Sequence, residues 1–200
     1  MTLLIALSSL SGCDTPSAPP PEPVSIAVPI SLSRDGVPEG AIDVAIDARG
    51  VFVDGAVSDA LDLPRDRPVG LRVDGTVPYA TVFTVVEHLA DREIFLVVAG
   101  SSGPAAIPLG RAELLSEELD LTVLMSPDAF IARIPEQTQA FPGHDHAGLR
   151  TWLTTVSADH PESHRATLVP HSEASTEELV RLADTVRAAG FQRLVLAKAL

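Results

Sequence analysis

One apolar pattern occurs twice in this chain, and that repetition limits the fold more than any other feature. The stretch Val69-Gly70-Leu71-Arg72-Val73-Asp74 alternates as a strand does, Val82, Val85, Val86 and Leu89 follow at helical spacing, and Ile94-Phe95-Leu96-Val97-Val98 is a second apolar strand. Near the C-terminus, Ala166-Thr167-Leu168-Val169 precedes Leu179, Leu182, Ala183 and Val186, followed by Phe191 and Leu194-Val195-Leu196. Val85 and Leu89 meet Leu182 and Val186 at an offset of 97 residues, and the same offset sets His171 opposite Asp74. A strand–helix–strand unit recurring at one offset predicts a duplicated module.

The helix ends are written in the same register. Ser175 and Glu178 form a Ser-x-x-Glu capping box, and Gly190 stands where a left-handed C′ residue is wanted. Pro78 is placed to be the first residue of the earlier helix, where its missing N–H costs nothing.

Upstream, Asp43 to Asp47 alternates, Ala48-Arg49-Gly50 turns and Val51 to Gly55 alternates again, a β-hairpin signal. Its counterpart is Leu119 to Met125, a turn at Ser126-Pro127-Asp128, and Phe130 to Ile134, at an offset of 79. The second copy therefore carries 18 more residues between hairpin and strand. That insertion, about 135–164, reads as a polar surface excursion and holds four of the six histidines. Ser101-Ser102-Gly103-Pro104 reads as the start of a linker at 101–111.

The N-terminus is of a different kind. Met1 to Gly12 is an apolar, small-residue run too short to span a bilayer, and it stops at Cys13, the only cysteine. It reads as a signal peptide, residues 1–12. Leu10-Ser11-Gly12-Cys13 resembles the lipobox of bacterial lipoproteins, which implies that Cys13 is lipidated. Residues 13–23 hold five prolines and read as an extended tether. With 27 acidic against 14 basic residues and a net charge of -13, nucleic acid is not an expected partner. One cysteine allows neither an internal disulfide nor a cysteine-rich zinc site.

Three segments together resemble the periplasmic domain of the ExbD/TolR family of biopolymer transport proteins. They are Val28-Pro29-Ile30-Ser31-Leu32, the hairpin Ile42 to Gly55, and Val69 to Asp74 followed by Val77-Pro78-Tyr79 and its helix. Residues 166–197 resemble a second, diverged copy of the last half of that domain. The resemblance implies an α+β fold of two modules, 24–100 and 112–200, each a small mixed sheet with helices packed on one face. It also implies binding roles for Asp74 and Tyr79. Where that family has its strand-ending aspartate and its tyrosine, the second copy has His171 and Thr176, so a groove there is expected to be altered. The family's membrane helix with its proton-carrying aspartate has no counterpart here, so the chain is not expected to conduct protons.

Other constellations are weaker. His144-Asp145-His146, with His160, His164 and His171, offers imidazoles and a carboxylate of the kind zinc or nickel takes, but no fixed-spacing signature is present. No Gly-x-Ser-x-Gly elbow or phosphate loop supports catalysis. Tyr79 and Trp152 read as packing residues at helix surfaces.

The expectation is thus a non-enzymatic, cofactor-free protein, lipid-anchored in the periplasm to the inner or outer membrane of a Gram-negative bacterium. Its partners would be envelope or motor-complex proteins, and its modules could pair with each other. The alternative is a periplasmic lipoprotein that binds metal or a small ligand through the His144-Asp145-His146 insertion.

Overall fold

A computed structural model of the chain describes residues 25–58, 61–110 and 119–199. Cys13 and the whole of the segments expected as signal peptide, 1–12, and tether, 13–23, lie outside the described residues.

Both expected hairpins form, and in equivalent registers. Strands β1 (Ile42–Asp47) and β2 (Gly50–Val53) pair antiparallel with Val44 opposite Val53 and Ile46 opposite Val51. Strands β7 (Thr122–Met125) and β8 (Ala129–Ile134) pair Val123 with Ala132 and Met125 with Phe130, each 79 residues further on. The two parallel strands that follow, β4 (Val69–Val73) and β10 (Arg165–Pro170), dock on β1 and β7 identically, Leu71 beside Val44 and Leu168 beside Val123. The offsets of 79 and 97 are thus realised in backbone pairing as well as in hydropathy.

The architecture is mixed α/β, with three helices and an 11-stranded mixed sheet among the described residues. Two short or peripheral strands, β3 (Ala56–Val57) and β9 (Gln137–Pro142), form its edges, and the remaining three are β6 (Gly103–Leu109) and, either side of it, β5 (Ile94–Gly100) and β11 (Arg193–Leu196). The order β3-β2-β1-β4-β5-β6-β11-β10-β7-β8-β9 reads the same from either edge, with β6 at its centre. The sheet therefore divides into two similar halves.

Part of the segment expected as a linker, 101–111, is built into the sheet instead. Residues 103–109 pair with β5 along their whole length, from Gly100–Gly103 to Ile94–Leu109. The prolines that disguise this strand do it no harm. Ala106 sends its N–H away from β5, to the Asp35 carbonyl, and by the two-residue period Pro104 and Pro108 would face the same way. Their missing donors thus lie off the β5 ladder.

Helices α1 (Tyr79–His88), α2 (His146–Asp159) and α3 (Thr176–Ala188) share one face of the sheet. Their buried Val82, Leu153 and Leu182 join one core with alternate strand residues such as Val44, Leu71, Leu96, Ile107, Val123 and Leu168. Each such side chain, moved from water, stabilises the fold by roughly 1.5–3 kcal/mol.

Three local expectations change. Pro78 is the N-cap of α1 and not its first helical residue, with ψ 144°, because it is drawn into an antiparallel bridge with Ser175. The offset of 97 holds through the helices but becomes 100 at the last strand, where Leu96 pairs with Leu71 and Leu196 with Leu168. Helix α3 has 13 residues against 10 in α1, and those three residues account for the slip. The insertion about 135–164 is not merely a polar excursion. It supplies β9 and α2, with Leu149, Leu153 and Val156 buried. Gly190 does take a positive φ of 113°, and a side chain there would collide with Ser157 on α2.

Candidate functional site

The two halves meet where α1 and α3 begin. Tyr79 donates its backbone N–H to the Ala174 carbonyl at 2.7 Å, and Thr176 donates to the Val77 carbonyl at 3.0 Å. One residue on, Ala80 donates to Ser172 and Glu177 to Gly75. All four bonds join positions that correspond at the offset of 97, so each is the mirror of another across Pro78 and Ser175. Such reciprocity is the signature of an isologous contact, here made within one chain.

The expected binding residues fall on this seam, and their groups are engaged. Tyr79 is fully buried, and its hydroxyl donates to the Ala197 carbonyl at 2.5 Å, at the end of the opposite half's last strand. Burial holds the phenol strongly towards its neutral form. Its ring meets Phe83 at 5.9 Å. Tyr79 is thus a tie across the seam and presents no surface to a ligand. Thr176, its counterpart, is equally buried and donates its hydroxyl to the Val77 carbonyl at 2.8 Å. Asp74 closes the turn after β4, accepting from the N–H and hydroxyl of Thr76, and these bonds hold its carboxyl below the usual range. His171, at the same point in the second half, is half-buried.

Neighbouring histidines are likewise committed to structure. His144, with φ 54°, reaches the Ser126 carbonyl through Nε2 at 2.8 Å. His146 meets the Thr185 hydroxyl on α3 through Nδ1 at 2.8 Å, and both rings stand 4.8 Å from Phe130. Asp145 caps α2 by accepting from Gly148. Burial, then the proximity of His144 and Arg181, lowers the His146 pKa, against a smaller opposing effect of Asp145. His160 and His164 lie exposed beyond the other end of α2. Among the described residues no three His, Cys, Asp or Glu side chains are grouped so as to hold a metal ion.

The proline-containing segment after the tether runs across both halves. Ile30 bridges to Ala99 on β5 and Asp35 to Ala106 on β6. Ser31 and the Leu32 N–H donate to Asp184 on α3, and Arg187 donates to Ser33 and Asp35. This strap over the β5–β6 hairpin has strand-like bridges at these two points only. Sequence reasoning missed its contact with α3, for which spacing gives no signal.

Two backbone edges stay open among the described residues. Strand β3 has two residues, with Val57 70% exposed. Strand β9 has six, Gln137 to Ala140 are exposed, and none of its side chains is charged. No helix among the described residues is long and apolar enough to cross a membrane. No family model, curated protein or solved structure matches this chain.

Proposed function

We propose that the chain is a non-enzymatic, lipid-anchored periplasmic protein of two ExbD/TolR-like modules, which serves an envelope transport system or a proton-driven motor through protein–protein contact. The mirrored pairing at Pro78 and Ser175 supports a duplication whose copies dock as two subunits would. Lipidation at Cys13 would place the body a short stiff tether away from the membrane surface.

The observation that carries the interaction reading is the β9 edge. Natural proteins blunt exposed edges with lysine, proline or a cover. Strand β9 offers exposed, uncharged Gln137 to Ala140, with proline only at its end, and so suits addition of a partner's extended segment. The test is affinity purification from cross-linked membranes, with Thr138→Lys and Ala140→Lys as comparison. Recovery of envelope or motor proteins by the native chain and its loss in the variant are expected. Recovery of none, or recovery indifferent to the lysines, would overturn the reading. The histidine insertion favours no second reading, since His144 and His146 are used in packing the start of α2 and His160 and His164 lie apart from them beyond its other end.

A further inference from the structure

The proline-containing strap turns its polar side chains inward and its apolar ones outward. It alternates as a strand does, yet Ser31 and Ser33 are buried while Ile30 and Leu32 stand 81% and 78% exposed. Both serines are engaged, Ser31 donating to Asp184 at 2.7 Å and Ser33 to the Ala106 carbonyl at 2.6 Å. A strand with one face in water ordinarily shows the opposite order. Four large apolar side chains are exposed among the described residues, and three of them, Ile30, Leu32 and Val37, fall on this stretch of chain. Charge runs against the rest of the molecule here as well. Leu32 stands between two grooves, one against α2 and α3 and the other against α3 and Gln192. Together they are lined by four arginines, Arg34, Arg150, Arg181 and Arg187, and by two aspartates, Asp35 and Asp184. Asp35 is bound by Arg187 and Asp184 by Ser31 and the Leu32 N–H. Arg181 is paired with Glu177, whereas Arg34 and Arg150 form no ion pair among the described residues. In a chain of net charge -13, an apolar pair is thus rimmed by arginine.

We propose that the outer face of the strap seats the body on an anionic lipid bilayer, with Ile30 and Leu32 entering the acyl boundary and Arg34 and Arg150 meeting lipid phosphates. Apolar side chains flanked by cations are what an interfacial site requires. The chain outside the structure favours a bilayer over a protein as the occupant. The strap is the first described segment after residues 13–23, and a tether of that length holds the body within about 35 Å of a lipid on Cys13. The tether limits how far the body can stand off and leaves it free to come to rest. This seat rests on the anchor half of the functional reading, because so small an apolar face alone gives only weak, reversible membrane binding. It requires neither a motor partner nor the β9 edge.

The single thiol makes the test direct. Full chain is coupled through Cys13 to a maleimide lipid in vesicles of phosphatidylcholine and phosphatidylglycerol whose acyl chains are brominated. In a Trp152→Phe background, Leu32→Trp should be strongly quenched by the bromines, and Val57→Trp, comparably exposed on β3, should not be. Ile30→Ser should lower the ratio of seated to free body about tenfold. Arg150→Gln should lower it about fivefold. Neither should change the melting temperature, since both side chains are exposed. An unquenched Leu32→Trp, equal quenching at the two positions, or quenching indifferent to phosphatidylglycerol would overturn the seat and leave the anchor standing. A dimer in solution that Ile30→Ser dissolves would give the face to a second copy and overturn it likewise. Cys13 recovered from cells without acyl chains, read by mass spectrometry, would remove the anchor and the seat together.

Discussion

The two halves of the sheet share strand order and register but are covered differently. Beside α3 lies a second helix, packed through Leu149, Leu153 and Val156. Beside α1 lies an irregular segment whose chief apolar contribution is Leu63, 8% exposed. Equal strand frameworks therefore need not give equal stability, because the framework fixes where a cover goes and the inserted residues decide what it is. The half with α2 has a second helix in its cover, and the half without it has an irregular segment there.

The largest effect that would test this contrast is in the two covers. Leu153→Ala should cost roughly 3 kcal/mol in chemical denaturation, as a fully buried leucine in a packed layer does, and Leu63→Ala about half of that. Equal losses would break the comparison. Next comes the seam. Tyr79→Phe takes the hydroxyl donor from the Ala197 carbonyl, and Thr176→Val takes from the Val77 carbonyl the second of its two donors, so each should cost about 1 kcal/mol. Because the two groups are counterparts across one contact, their effects should be similar in size.

The helix starts differ more subtly. Ser175 carries a full capping box with Glu178, so Ser175→Ala should cost about 1 kcal/mol. Pro78 makes no side-chain cap, and Pro78→Ala should change stability by only a few tenths. The smallest effects are those of pH. The His146 pKa is lowered in the folded state, so the unfolded chain takes up more protons as the medium becomes acidic. Stability that is complete above the ordinary histidine range should fall as pH drops through it, and His146→Gln should flatten that slope in melting curves. Glu178, held low by Ser175, adds a second loss below the ordinary carboxylate range.

Much of this was legible in the sequence. The hairpins, the capping box, Gly190 and the two offsets could be read because alternation and helical spacing are local properties. Strand β6 was hidden by Ser101-Ser102-Gly103-Pro104, which punctuates like a linker although it turns a hairpin. Helix α2 was hidden by its threonines. Thr151, Thr154 and Thr155 donate their hydroxyls back to carbonyls four residues earlier, which satisfies the hydroxyls without favouring a helix, and it is the buried face of Leu149, Leu153 and Val156 that holds the segment helical. Tyr79 could be picked out but not placed, since only the arrival of Ala197 from the other half shows that its hydroxyl is engaged.

The paired architecture depends most on the seam, where two equivalent segments bond to each other inside one chain. Amide hydrogen exchange at Tyr79, Ala80, Thr176 and Glu177 tests it directly. All four should exchange slowly and with one common free energy, matching the amides of β4 and β10. Fast exchange at these four while the strand amides stay protected would mean that the halves do not join there, and the paired architecture would fail with it.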